Sequence, residues 1–335
     1  MKIVVITGSP RKNGNIFAMT DAFVERYMKR KGMFVFVVCM FVFVATQWRC
    51  TSSAVEGYSQ LQEELEQYVS SCDAEIGLCV IVDSKDTIRI NDDEAYPMNS
   101  VMKLYQAIAT VSYMQEQGIS LDSMLTIDKT DLHPYTYSPM SHGLSDNPCS
   151  ISISISDVML WSLMHSDNNA CDILFNHILD VEHVEARIRN MGIDDFAIRV
   201  DENAMHQDTS LVSQNWNKPS AAAKLIDMLF TQEPFSGTYM KCLQYSLLHC
   251  STGENRLPKP IFRTDAKIAH KTGTGFPDRQ GNPQGINDVG FVQLPNGQHY
   301  AISVFVKSSH TDMPNTEKMI ADISRITYRN ICNHH

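Results

Sequence analysis

From residue 56 onward, the apolar positions follow two rhythms. Leu61, Leu65, Tyr68 and Val69 recur at helical spacing behind Ser59, which predicts a capped amphipathic helix. Ile76–Val82 and Thr87–Asn91 are short runs that predict strands. Helical spacing then takes over across Ser100–Gly118, Ser156–His165, Asn168–Leu179, Val181–Met191, Ser220–Phe230 and Thr238–His249. Strand patterns return at Ala266–Thr272, Ile286–Leu294 and His299–Val306. The last two are joined by Pro295-Asn296-Gly297, a hairpin turn, because Asn-Gly tolerates positive φ. Met319, Ile320, Ile323 and Ile326 predict a closing helix over Asn315–Ile331. Strands at both ends of a helical middle predict an α+β fold, with a sheet built from both termini and a helical domain inserted between them.

The first 54 residues read differently. Lys2–Thr7 is β-branched, Gly8-Ser9-Pro10-Arg11-Lys12-Asn13-Gly14-Asn15 is a glycine-bearing loop, and Phe17, Met19, Phe23 and Tyr27 follow at nearly helical spacing. A loop between strand and helix can cradle a phosphate on its backbone N–H groups. This segment resembles the opening of the flavodoxin-like FMN reductases, but the further βα repeats of that fold do not follow. Next come the basic cluster Met28-Lys29-Arg30-Lys31-Gly32 and the uncharged, apolar Met33–Ala45. That run is short for a membrane span and fits the core of a secretory signal, with small residues for cleavage at Thr51-Ser52-Ser53-Ala54. Residues 1–27 are therefore expected to be a foreign or mis-called segment, and residues 28–54 a signal peptide.

Composition narrows the function. The chain has 335 residues, 43% hydrophobic and 20% charged, which is ordinary for a globular protein and excludes disordered, collagen-like and coiled-coil classes. A formal net charge of −10 argues against nucleic-acid binding through bulk positive charge, so an anionic substrate must be met by a few local cations. Nine cysteines without a CxxC pair are too few for a disulfide scaffold. Twelve histidines include no HExxH or HxHxD spacing, and His334 and His335 sit side by side at a chain end, so no metal site is expected.

Three short patterns carry chemistry. In Ser100-Val101-Met102-Lys103, helical i,i+3 spacing lets the lysine amine approach the serine hydroxyl. A serine is a weak nucleophile until a nearby base takes its proton. The same spacing recurs at Ser9-Pro10-Arg11-Lys12, in the glycine loop. Ser166-Asp167-Asn168 offers a hydroxyl to relay a proton and an amide to hold both substrate and lysine. Its second copy, Ser145-Asp146-Asn147, precedes Pro148 in a turn-rich stretch and reads as a surface turn, whereas Ser166 lies between two apolar helices. Lys271-Thr272-Gly273 occurs once, on a strand. There a cation and a hydroxyl can bind a carboxylate while glycine permits close approach.

In this order the three patterns resemble the class A serine β-lactamases and their penicillin-binding relatives, over residues 56–335. The resemblance implies a five-stranded antiparallel sheet flanked by helices (residues 55–98 and 250–335), an all-helical domain (99–249) and an active site between them. It implies Ser100, Lys103, Ser166 and Glu202 as catalytic residues, with Glu202 as the base that activates the deacylating water. Asp201 and Glu233 are weaker substitutes for that base. Asn168, Lys271, Thr272, Gly273 and Thr274 would bind substrate, Tyr137 would wall the cleft, and Arg256 would be a second cation for the substrate carboxylate. The backbone N–H groups of Ser100 and Thr274 would form the oxyanion hole.

Around Glu202 the commonest class A pattern has Arg two residues before, Pro just after and Asn four after. Val200, Asn203 and His206 stand there instead, and His206 would position the water. These departures, with Gln214-Asn215-Trp216, resemble the Bacteroidetes-type cephalosporinases and related extended-spectrum enzymes. Phe276–Gln284 lengthens the connection beside the cleft. Neither Asn99 nor Gly275 is cysteine, so the cleft disulfide of some relatives cannot form. The implied protein is an exported, periplasmic or secreted monomer that hydrolyses β-lactams, preferring cephalosporins. It needs no cofactor, no nucleic-acid partner and, after signal cleavage, no membrane. The alternatives are a penicillin-binding DD-peptidase, a β-lactam sensor domain and, from residues 1–27, a flavin-binding reductase.

Overall fold

The computed structural model describes residues 58–144 and 150–333. The readings made on residues 1–54, the second Ser-Asp-Asn at 145–147, and His334 and His335 lie outside the described residues.

Five strands form one antiparallel sheet: β1 (Glu75–Val82), β2 (Asp86–Ile90), β3 (Lys267–Thr274), β4 (Ile286–Gln293) and β5 (His299–Lys307). Their order is β2-β1-β5-β4-β3, so strands from both ends of the described chain interleave. The β4–β5 hairpin closes through Gly297 at φ 92, the positive φ that its turn requires. Side chains alternate across the sheet, and both faces are covered. On one face Ile76, Leu78, Val80 and Val304 pack with Leu61 and Leu65 of α1 (58–71) and with Ile320, Ile323 and Ile326 of the closing helix. On the other, Ala269, Val289, Phe291 and Phe305 join the core of the helical region. Burial on both faces explains why these strands read as unbroken apolar runs rather than as alternation.

The helical region comprises α2 (Met102–Gln117), α3 (Ile155–Met164), α4 (Asn168–His177), α5 (Val181–Asn190), α6 (Glu202–Gln207), α7 (Pro219–Thr231) and α8 (Gly237–Leu248). The closing helix is α9 (Met313–Cys332). Helix α7 packs directly on β1, β4 and β5, and its Phe230 ring stacks on Phe291 with centroids 4.8 Å apart. The expected helical span 99–249 thus lends one helix to the sheet, because Ala222, Leu225, Ile226 and Leu229 give α7 an apolar side to bury.

Two small sheets were not anticipated: a hairpin of Met124–Asp128 with Ser150–Ser154, and a ribbon of Tyr96–Pro97, Trp216–Asn217 and Phe196–Ala197. The first is legible afterwards as Ser-Ile-Ser-Ile-Ser alternation. The second has two-residue strands, too short to carry any period.

Candidate active site

Ser100 sits in a short 3-10 turn, Asn99–Val101, that runs straight into α2. Three anchors fix this turn. The Met98 N–H donates to the Asn215 carbonyl at 2.9 Å. The Asn287 amide on β4 donates to the carbonyls of Pro97 and Met98 at 2.8 and 3.1 Å. Asn99 Nδ2 donates to the Gly285 carbonyl at 2.8 Å. Asn99 itself is held at φ 47, a left-handed conformation that asparagine tolerates better than most residues.

One helical turn on, the fully buried Lys103 amine donates to Ser100 Oγ at 2.8 Å and to Asn168 Oδ1 at 2.8 Å, and it forms an ion pair with Glu202. Ser100 Oγ also lies 3.5 Å from Glu202 Oε1. Burial pulls the Lys103 ammonium down, but the Glu202 carboxylate, with Cys171 and Asp172, more than offsets this and raises it above the ordinary amine range. In the resting site the lysine is therefore a proton donor to Ser100, and the acceptor beside the serine is Glu202.

The Ser166 corner is strained and buried. Its φ is 58, and the side chain of the following Asp167 points inward, accepting from the Ala170 and Met140 N–H groups at 2.9 and 2.7 Å and from Ser138. A non-glycine residue in this conformation costs about 1–3 kcal/mol and persists where its surroundings over-determine it. The corner turns Ser166 and Asn168 the same way. Ser166 Oγ accepts from Lys271 Nζ at 2.9 Å, and Asn168 Nδ2 donates to Thr136 Oγ1 at 2.9 Å.

The end of edge strand β3 supplies the third side. Thr272 Oγ1 pairs with Thr252 Oγ1 at 2.6 Å. Gly273 presses on the turn that carries Ser100: a Cβ there would lie 2.5 Å from the Met98 carbonyl oxygen. The close approach that this glycine permits is thus to the chain itself. Gly273→Ala is expected to shift the Ser100 turn and lower kcat/KM by roughly 100-fold, the scale of a 1 Å misplacement. Steady-state kinetics beside a thermal melt checks this.

Arg256 is only 4% exposed and does not enter the cleft wall. Its guanidinium donates to the carbonyls of Gly273 and Asn287 at 2.9 and 3.0 Å, to Thr274 Oγ1 at 2.8 Å and to Glu317 at 3.0 Å. It reaches the cleft through the Thr274 hydroxyl. Arg256→Ala would leave Glu317 half-buried without its partner, and a loss of roughly 3 kcal/mol is expected in a denaturant melt.

Glu202 opens α6 and is 8% exposed. Its loop lacks the usual arginine, and two other groups hold it. The Asp172 carboxylate of α4 accepts the N–H groups of Glu202 and Asn203, both at 2.9 Å. Asn215 Oδ1 accepts from the Arg199 and Val200 N–H groups at 2.7 and 3.2 Å, and its amide returns a bond to the Val200 carbonyl at 2.8 Å. Burial, with the Glu202 and Asp201 charges, pushes Asp172 up to about 8. His206 lies one helical turn after Glu202, its ring 6.2 Å from the Phe276 ring.

These elements enclose a cleft of about 440 Å³. Ser100, Tyr137, Ser166, Asn168, Glu202, His206, Thr272 and Thr274 line it, and Lys103 and Lys271 stand behind it, each bonded to a serine in the wall. The sequence reading did not single out Tyr135, Thr136, Asp172 or Thr252, none of which belongs to a local motif. A larger hollow of about 800 Å³, lined by Asp180, Arg189 and Arg199 among others, contains none of the three motifs.

Comparison with known proteins gives concordant results. The model of the beta-lactamase enzyme family matches residues 60–331. A beta-lactamase of Phocaeicola vulgatus is 32% identical over 298 residues, covering 87% of this chain and 92% of its own. The extended-spectrum beta-lactamase PER-1 of Pseudomonas aeruginosa is 28% identical over 80% of this chain and 86% of its own. The crystal structure of a class A beta-lactamase from Bacteroides cellulosilyticus superposes with a TM-score of 0.78 at 29% identity, covering 83% of this chain and 99% of that one.

Proposed function

Because the chain belongs to the beta-lactamase enzyme family, in its class A branch, and is a β-lactam hydrolase, we propose that it works through an acyl-enzyme on Ser100 and prefers cephalosporins. The observation that carries the mechanism is the Lys103 amine bridging Ser100, Asn168 and Glu202. Glu202 takes the Ser100 proton as Oγ attacks the lactam carbonyl, and the Ser100 and Thr274 N–H groups receive the oxyanion. The C–N bond breaks as Ser166, bonded to Lys271, passes its proton to the leaving nitrogen. The proton taken by Glu202 is returned through the Lys103 amine to restore the Ser166 hydroxyl, leaving Glu202 a carboxylate again. Glu202 then takes a proton from water as that water attacks the ester, with His206 positioning it, and Ser100 leaves with its proton restored. Lys271, Thr272 and Asn168 hold the substrate, and Tyr137 walls it.

Cephalosporin preference is supported by the rim. Tyr137 and Phe276 are exposed there, and the connection 276–284 gives room for large acyl side chains. The extended-spectrum relative points the same way. The test is to mix the protein with a chromogenic cephalosporin and a penicillin, follow turnover, and take intact masses within seconds and after an hour. Rapid turnover with a higher kcat/KM for the cephalosporin is expected. A stoichiometric adduct that persists on Ser100 would replace this reading with a penicillin-binding protein or sensor.

One chain carries every group named, consistent with a monomer. Among the described residues no helix is long and apolar enough to cross a membrane. Export is supported by the basic cluster and apolar run at 28–45, and N-terminal sequencing of the native product should read from near Val55.

A further inference from the structure

The loop between α8 and β3 carries a threonine that the mechanism above leaves unused. Thr252 lines the cleft, and its Oγ1 lies 2.6 Å from Oγ1 of Thr272, a residue 3% exposed. The loop is pinned on either side of it. Ser251 donates its N–H and its hydroxyl to the Met164 carbonyl at the end of α3, at 2.9 and 3.0 Å. The Arg256 N–H donates to the Gly253 carbonyl at 2.9 Å. Gly253 sits at φ 71, and a Cβ there would lie 2.4 Å from Thr272 Cγ2, so only glycine leaves room for that methyl. Both arms of the Thr272 side chain are therefore seated on this loop, the methyl on Gly253 and the hydroxyl on Thr252.

We propose that Thr252 is a positioning residue for recognition of the substrate carboxylate: its hydroxyl donates to Thr272 Oγ1 and so leaves the Thr272 O–H free to donate into the cleft. The inference rests on the function proposed above for its substrate, but not for the direction of the bond.

A hydroxyl has one proton and two lone pairs, whereas an ionised carboxylate only accepts. Were Thr272 to donate to Thr252, it would present lone pairs alone to an incoming carboxylate. With the bond running the other way, Thr272 Oγ1 accepts once and keeps its proton for the substrate. The neighbours of Thr252 favour that direction. Its other hydrogen-bonding neighbour is Cys250 Sγ, 3.4 Å away, and sulfur is a weak acceptor. The Thr272 oxygen, at 2.6 Å, is the better destination for the Thr252 proton. Among the described residues Thr272 Oγ1 has no other hydrogen-bond partner, so the proton freed in this way is available to a ligand. The Thr272 carbonyl accepts from Lys271 Nζ at 2.9 Å, which holds the lysine cation beside the same residue. A carboxylate at this end of the cleft therefore meets a charge and an oriented hydroxyl together.

The experiment compares the unmodified protein with T252A and T252S on two forms of one chromogenic cephalosporin, the free carboxylate and its methyl ester. T252A should lower kcat/KM for the carboxylate about three- to tenfold, the scale of one hydrogen bond, and leave the ester nearly unchanged. T252S, which keeps the hydroxyl, should retain most of the activity on the carboxylate. A merely structural role would lower both forms alike. Neutron diffraction from a deuterium-exchanged crystal of the substrate-free protein should place the shared deuterium on Thr252 Oγ1, along the line to Thr272. The proposal is overturned if that deuterium belongs to Thr272, or if T252A affects the carboxylate and the ester equally. Because the diffraction measurement needs no substrate, a protein that turns over neither form would defeat the functional reading while the position of the deuterium still decides the direction of the bond.

Discussion

Ser100→Ala is expected to lower kcat/KM for a chromogenic cephalosporin by roughly 10,000-fold or more, the scale on which loss of a hydrolase nucleophile is felt. Among the described residues, Ser100 Oγ is the one hydroxyl that both accepts from Lys103 at 2.8 Å and faces Glu202 at 3.5 Å. Ser166 Oγ, the other serine oxygen of the site, is taken by Lys271 at 2.9 Å, so it is not a replacement nucleophile. The substitution deletes one oxygen at a partly exposed position, and the thermal midpoint should stay close to that of the unmodified protein. Intact mass after mixing should show no covalent adduct. An adduct forming in Ser100→Ala at the unmodified rate would mean that another residue is the nucleophile.

Glu202→Ala should instead separate the two halves of the reaction. Without the Glu202 carboxylate, the force holding Lys103 above the ordinary amine range is gone while its burial remains, so the amine loses its proton more readily. A neutral Lys103, still 2.8 Å from Ser100 Oγ, can then serve as base for the first step. No comparable base is left for the water of the second step. The acyl-enzyme should accumulate as a stable mass increase, with steady-state turnover reduced by about 1,000-fold, within the range for loss of a general base. If the variant turns over normally, Glu202 is not the deacylating base. If neither adduct nor turnover is seen, it is required in both steps. Removing one member of a buried ion pair also destabilises the fold, so a melt should accompany the kinetics, and Glu202→Gln gives the gentler comparison.

Much of this site was legible because its chemistry is carried by local spacing. Ser100 and Lys103 meet because a helix brings i and i+3 to one face, and the structure bears that spacing out at 2.8 Å. Of the two Ser-Asp-Asn copies, the one at Ser166 is preferred in sequence because it lies between two apolar helices, and Ser166 lines the cleft. What the letters could not show was which side of the wall each residue occupies. Arg256 reads by resemblance as a second cation for the substrate carboxylate, but its guanidinium is held by Gly273, Asn287, Thr274 and Glu317. Gly273 reads as room for substrate but is room for Met98. The Glu202 loop, without its usual arginine, looked undetermined. Asp172 and Asn215, 30 residues before the glutamate and 13 after it, hold it in place.

The sequence by itself therefore determined the α+β class, the succession of the main strands and helices, and the three motifs from which the resemblance implies Ser100 as nucleophile and Lys103 as its partner. The elements rest on periodicity, and the motifs on spacing within one helical turn, corner or strand. Only the tertiary structure decided how Glu202 reaches Lys103 across 99 residues and why Arg256 faces inward. It alone brought His270 and Asp288 together, 2.9 Å apart and buried on neighbouring strands. Those pairings depend on where distant segments pack, and on charges whose strength is set by burial, neither of which leaves a period along the chain.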